Sequence, residues 1–110
     1  MMLKDNFSVV YTFKVKEGRQ VEFVQNWTAL TKLIYEYEGS LGSRLHQVDE
    51  HLFMAYALWP NRKTFDEANN LPKEAIEIRE KQKSCLEEFK IAYQSTIVTD
   101  LLKSNTSNSK

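Results

Sequence analysis

The chain has very little of what usually staples or punctuates a small protein: one cysteine, two prolines and three glycines in 110 residues. A lone Cys85 excludes an internal disulfide framework and fits a reducing compartment, so the fold must be held by its core. The glycines are spread out, with no Gly-rich phosphate loop and no dinucleotide fingerprint. No stretch approaches the roughly 20 apolar residues that span a bilayer. The opening Met1-Met2-Leu3-Lys4-Asp5-Asn6 lacks the apolar run of a signal peptide. The expectation is a cytoplasmic protein without a membrane partner, in which Asn26-Trp27-Thr28 and Asn105-Thr106-Ser107 are chance sequons. Net charge is missing as well, since fifteen basic and fifteen acidic residues cancel. Nucleic-acid binders draw much of their affinity from a basic excess. No nucleic-acid partner is expected.

What is present suits a globular domain: 42% hydrophobic and 12% aromatic residues, too apolar for disorder. A chain this long forms one domain and buries roughly 60–70% of its extended surface. Residues 1–102 are expected to form it, with the polar segment 103–110 as a disordered tail. There is no internal linker and no repeat.

From Phe7 to Val15 the residues alternate, with Phe7, Val9, Tyr11, Phe13 and Val15 on one face of a strand. Lys16-Glu17-Gly18-Arg19 is a turn. A helical period then places Val24, Trp27, Leu30, Ile34 and Tyr37 in a stripe broadened by Phe23, on a helix from about Arg19 to Glu38 capped by Gly39. Ser43 to Val48 reads as a second strand, Asp49-Glu50-His51 as a turn and Leu52 to Trp59 as a third strand. Asn61 is an N-cap for a short helix through Phe65 and Ala68. Pro72 opens a longer helix ending between Phe89 and Tyr93, with Ile78, Cys85, Phe89 and Ala92 inside and Glu77, Arg79, Glu80, Lys81 and Lys83 outside. Ser95 to Leu102, rich in β-formers, is the expected last strand.

The resulting order, βαββαβ, is that of an α+β, ferredoxin-like domain with two helices on one face of the sheet. The third strand is apolar on both faces: Phe53, Ala55, Ala57 and Trp59 on one, Leu52, Met54, Tyr56 and Leu58 on the other. Leaving the second set in water forfeits on the order of 1.5–3 kcal/mol per large side chain, and such patches mark interfaces. A homodimer with sheets face to face resolves the conflict; a covering loop is the plainer alternative.

Several constellations could carry chemistry. Arg44 and His46 stand two apart on a strand and project to the same side. A cation beside an imidazole of ordinary pKa near 6.5 can hold an anionic substrate and move a proton. A surface arginine and a half-buried histidine in ordinary hydrogen bonds is the competing reading. His46 and His51, with Asp49 and Glu50 between them, offer metal-ligand types at a spacing that matches no known signature. Tyr11, Trp27, Tyr37, Tyr56 and Trp59 are mostly core by expectation, yet would also suit a flat aromatic ligand between sheet and helices. Cys85 has no histidine partner and reads as structural. A split βαβ sheet can also stack RNA bases, but Leu52 to Trp59 lacks the Arg/Lys-Gly-aromatic pattern of that module.

The run Val15-Lys16-Glu17-Gly18, then Phe23 and Trp27, then Gly39-Ser40-Leu41-Gly42-Ser43-Arg44-Leu45-His46, then Ala55-Tyr56-Ala57-Leu58-Trp59-Pro60 resembles the antibiotic biosynthesis monooxygenase family. The resemblance extends to Phe65 and to Asp100-Leu101-Leu102. It implies a dimeric α/β barrel with a substrate cavity between sheet and helices. It also implies oxygenation, without cofactor or metal, of a small aromatic or quinol-type compound by dioxygen. On that analogy His46 is the base or proton shuttle, Arg44 stabilises an oxyanion, and Tyr11, Trp27, Tyr56 and Trp59 line or support the pocket. A haem-degrading branch of the family uses an asparagine, a tryptophan and a histidine where this chain has Tyr11, Ala68 and Ile78, so that activity is not expected. A non-catalytic small-molecule binding or regulatory dimer of the same fold is the alternative function.

Overall fold

The computed structural model describes residues 6–102. Their elements are β1 (Phe7–Val15), α1 (Gln20–Tyr37), β2 (Gly42–Gln47), β3 (Leu52–Trp59), α2 (Arg62–Asp66), α3 (Lys73–Ser84) and β4 (Leu86–Thr96). The strands form one antiparallel sheet in the order β2-β3-β1-β4. This is the ferredoxin-like arrangement that the alternation and periodicity imply. No helix among the described residues is long and apolar enough to cross a membrane. The segment 103–110 lies outside the described residues.

Local chemistry explains where α1 begins and ends. Gly18 adopts φ +78°, and Arg19 N–H donates to the Lys16 carbonyl, which turns the chain out of β1. At the other end Glu38 N–H closes on the Ile34 carbonyl, and Gly39 follows at φ +83°. A Cβ on Gly39 would lie 3.2 Å from Thr64 Cγ2, so this glycine is required both for its backbone conformation and for the approach of α2. Asn61 caps α2 as expected, its side chain accepting from Thr64 N–H at 2.8 Å.

The inward stripe of α1 is Phe23, Trp27, Leu30 and Ile34, with Phe23 and Leu30 buried. Val24 and Tyr37, expected in the stripe, are exposed by 37% and 49%. The apolar face is therefore centred on Phe23 and not on Val24. Phe23 is fully buried, with ring centroids 5.0 Å from Phe13 and 5.2 Å from Phe53. These contacts join β1, α1 and β3.

The last third of the chain departs from expectation. The α3 helix stops at Ser84, whose hydroxyl donates to the Lys81 carbonyl at 2.7 Å, and Cys85 is its buried C-cap. The segment 86–93 belongs to β4, not to the helix, and the expected strand at 95–102 contributes only Ser95 and Thr96. Pairing with the whole of β1 decides the matter, because the ladder from Val15↔Leu86 to Phe7↔Thr96 supplies hydrogen bonds that a longer α3 would forfeit.

On the face away from the helices, Leu52, Met54, Tyr56 and Leu58 are half-buried. The chain after β4 passes beside them. Ile97 N–H donates to the Asn6 carbonyl at 3.0 Å, and residues 97–102 flank a shallow depression with Tyr56. This segment adds apolar surface of its own, since Val98, Leu101 and Leu102 are exposed by 91%, 88% and 79%.

A cavity between sheet and helices

The core divides into two clusters. One gathers Phe13, Val15, Phe23, Phe53, Ala55 and Cys85; the other gathers Phe7, Val9, Ala57 and Trp59. Tyr11 packs against both. Where they meet, the inner face of the sheet carries small residues, Ala57 on β3 and its cross-strand partner Ser43 on β2. The result is a cavity of about 150 Å³. Tyr11, Phe13, Ala57 and Trp59 line it from the central strands, Trp27, Leu30, Thr31 and Ile34 from α1, and Arg79 and Gln82 from α3. Ser40, Ser43 and Phe89 complete the wall.

Its polar groups are few and specific. The Trp59 side chain is only 4% exposed, held edge-on to Phe65 at 5.4 Å, yet its Nε1–H has no hydrogen-bond partner among the described residues. Gln82 Oε1 is buried and equally unpartnered. Both atoms have almost no accessible surface, and such unpaired buried polar groups are unusual. Burial raises the pKa of the Tyr11 phenol above 10.0, against a smaller lowering by the Arg79 charge and a further raising by Glu38. Tyr11 therefore stays protonated and can donate. Arg79 is largely exposed and in no ion pair with a carboxylate of the described residues. It sets a positive charge at the rim of a largely apolar space.

The residues singled out from sequence fall into two groups. Tyr11, Trp27 and Trp59 line this cavity. Arg44, His46 and Tyr56 lie on the opposite face of the sheet. Arg44 is paired with Tyr56 and His46 with Met54, and directly opposed residues share a face. Both Arg44 and His46 are exposed there. Ser43 and Leu45, the alternate residues of β2, are the ones that face the helices. Gln82 and Arg79 carry no role in the sequence reading, which puts Arg79 on the solvent side of its helix. Their spacing of three on α3 is the signal available, since it places them on one helix face.

The histidine-containing turn is a separate, structural feature. Asp49 Oδ1 accepts from the backbone N–H of His51 at 2.9 Å and of Leu52 at 2.8 Å, which fixes the β2–β3 hairpin. His51 Nε2 meets Glu17 Oε1 at 2.7 Å, tying that hairpin to the turn after β1. Among the described residues no group of three or more His, Cys, Asp or Glu is placed to hold a metal ion.

Comparison with known proteins agrees with this architecture. SnoaB, a cofactor-independent oxygenase from Streptomyces nogalater, superposes with a TM-score of 0.67 at 14% identity, over 89% of this chain and 96% of its own. A Bordetella bronchiseptica protein assigned provisionally to the antibiotic biosynthesis monooxygenases gives 0.72 at 16% identity, over 87% and 100% of the two chains. A Pseudomonas aeruginosa protein gives 0.65 at 16% identity, over 92% and 100%. At such identities the likeness is one of fold. No curated protein shows significant sequence similarity to the chain. The sequence profile of the family described as antibiotic biosynthesis monooxygenase matches residues 6–87, from the start of β1 into β4. That match covers most of the chain and includes every element that builds the cavity's wall except the greater part of β4, and on it the chain belongs to the antibiotic biosynthesis monooxygenase family.

Proposed function

We propose that this protein is a monooxygenase that needs no cofactor and oxidises a small aromatic or quinol-type compound held in the cavity between sheet and helices. The observation that carries the reading is the cavity of about 150 Å³ between sheet and helices, walled largely by aromatic and aliphatic side chains with Arg79 at its rim. Family membership supplies the reaction class. A small hydroxylated ring suits such a space, its oxygen toward Arg79.

The residues present favour ionisation of the substrate without a dedicated base. Among the described residues no carboxylate or imidazole lines the cavity. Instead Tyr11 offers a hydrogen bond and Arg79 a charge to an anionic oxygen, which lowers the substrate's own pKa and lets its proton leave by the rim. The ring anion then gives electrons to dioxygen. A ring C–H is exchanged for a C–O bond, the second oxygen atom leaves as water, and the substrate leaves oxidised. For a hydroquinone the balance is one dioxygen consumed, with hydroxybenzoquinone and one water formed. Arg44 and His46 have no part in this scheme; their strand position suits the surface where a second copy docks.

That second copy is the other half of the proposal. Leu52, Met54, Tyr56 and Leu58 lie half-buried on the face away from the helices, and Tyr56 borders the segment that exposes Val98, Leu101 and Leu102. A homodimer that buries this surface is the assembly we expect, with a light-scattering mass about twice 12.9 kDa. A mass of one chain at micromolar concentration refutes it.

Oxygen consumption tests the activity. With a panel of hydroquinones and anthrones as candidate substrates, uptake above the buffer rate is expected for at least one, and ¹⁸O₂ should place one labelled atom in its product. His46→Ala should leave turnover unchanged. Ligand binding with no oxygen uptake would instead make this a binding or regulatory protein.

A further inference from the structure

The segment that follows β4 crosses the outer face of the sheet, the face turned away from the helices. Thr96 is the last residue paired with β1, and Ile97 N–H then donates to the Asn6 carbonyl at 3.0 Å. Beyond that point Ile97, Asp100 and Leu102 share one depression with Leu41, with Arg44 of β2 and with Tyr56 of β3. The chain therefore runs as a strap from the β4 edge past β1 and β3 to the β2 edge. Asp100 Oδ1 accepts from Leu102 N–H at 2.9 Å and sets the last bend.

A strap that served only as a cover would turn its apolar side chains down onto the sheet. Ile97 alone is half-buried; Val98, Leu101 and Leu102, and Leu41 at the same depression, are each more than half exposed. The strap thus presents apolar surface outward, which is unfavourable unless something else covers it. The eight residues that follow, Lys-Ser-Asn-Thr-Ser-Asn-Ser-Lys, hold no hydrophobic side chain to do so.

Charge selects the occupant. Arg44 and Asp100 are exposed, and among the described residues they are the only charged groups lining the depression, one from β2 and one from the strap. Neither is in an ion pair among the described residues. An acidic partner would meet Asp100 with like charge, and a basic partner would meet Arg44 so. A two-fold axis instead sets each residue of a patch against a different residue of the same patch, so a surface carrying both signs around an apolar centre fits its own copy. Resting on the reading that the protein is a homodimer, we propose that residues 97–102 act as reciprocal arms. Leu101 and Leu102 of each arm are covered by the other copy, and Arg44 of one protomer pairs with Asp100 of the partner subunit at two equivalent contacts.

The test is charge reversal, read by sedimentation equilibrium over a micromolar dilution series. Arg44→Glu sets carboxylate against carboxylate at both contacts, and Asp100→Lys sets cation against cation. Each alone should weaken the dimer at least about tenfold, because juxtaposed like charges oppose association. An equimolar mixture of the two variants joins opposite charges at both contacts and should form a heterodimer within about threefold of wild-type affinity. Loss of the bend at Asp100 would not be repaired in that mixture, so rescue isolates the pairing. Salt at about 0.5 M should narrow the gap between wild type and each variant. Leu101→Ser combined with Leu102→Ser should weaken the dimer with both charges intact. All four side chains are exposed, so these variants are compatible with folding, which circular dichroism checks. Single variants as tight as wild type, or a mixture no tighter than they are, overturn the Arg44–Asp100 pairing and leave the homodimer standing. A wild type that stays at 12.9 kDa overturns both and gives this face to another segment of the chain or to a different protein.

Discussion

Replacing Trp59 by phenylalanine separates the two roles this side chain has, filling the core and walling the cavity. Trp59 is 4% exposed and packs on Phe65 and Phe7's cluster, so truncation to alanine would cost about 3–5 kcal/mol. Phenylalanine keeps most of the ring, and the lost volume should cost only about 1–2 kcal/mol. Against this stands the Nε1–H, which has no partner among the described residues; removing an unmet buried donor returns about 1–3 kcal/mol. The terms nearly cancel, and urea unfolding at fixed protein concentration should show a change within about 1 kcal/mol. Binding should respond quite differently. The ring volume removed from the cavity wall loosens the fit of a ligand, and about 1–2 kcal/mol of lost contact should lower the affinity for a hydroquinone about 5- to 30-fold. Trp27 remains as the fluorescence reporter. A destabilisation above about 3 kcal/mol with unchanged affinity would refute the reasoning, because it would make the indole a packing residue and nothing more.

Two further outcomes come from the electrostatics. The pKa of His51 is raised above 6.5, first by its hydrogen bond to Glu17 and, after a smaller opposing effect of desolvation, by the charges of Glu17, Glu50 and Asp49. The pair's stabilisation is thus fully present below pH 6.5 and fades as pH rises through the raised value. In Glu17→Gln an NMR titration should return His51 toward 6.5; an unmoved titration would mean that the 2.7 Å contact does not persist in solution. Tyr11 has its pKa raised above 10.0 by burial, so above that pH the unfolded chain ionises first and stability declines. Melting curves taken from about pH 9 to pH 11 should fall less steeply for Tyr11→Phe than for wild type, and parallel slopes would show that the phenol is not desolvated.

The strands and helices that carry strong periodicity were legible in the sequence, and β4 was not. Leu86-Glu87-Glu88-Phe89-Lys90 is made of residues that favour a helix locally, and Cys85, Phe89 and Ala92 recur at helical spacing. The alternation that should betray a strand is broken twice. Register shifts fall between Lys14 and Val15 and between Val10 and Tyr11, where β4 passes from Glu88 to Leu86 and from Ile91 to Tyr93. Glu87 and Ala92 are the extra residues, and each reverses the parity of the residues beyond it. Phe89 and Ile91 thus share the inner face with Tyr11 and Phe13, whereas Tyr93 faces out with Val10. Only the partner strand, distant in sequence, makes the pattern readable.

The candidate site was half legible for a related reason. That Arg44 and His46 share a face is clear from their spacing, but which face depends on how β2 registers against β3, and Leu45 opposite Ala55 fixes it. The two faces of β3 are both apolar, and by bulk alone Leu52, Met54, Tyr56 and Leu58 make the more substantial one. The helices instead cover Phe53, Ala55, Ala57 and Trp59, with alanines in the middle and aromatics at the ends. That distribution is informative in itself. A sheet face that must receive two helices, yet carries Ala57 beside Ser43 at its centre, cannot be filled by its own side chains, and large residues on α1 and α3 do not reach in to compensate. A well-packed core would have placed a leucine or valine there. The small residues and the flanking aromatic walls argue that the space is kept for a ligand.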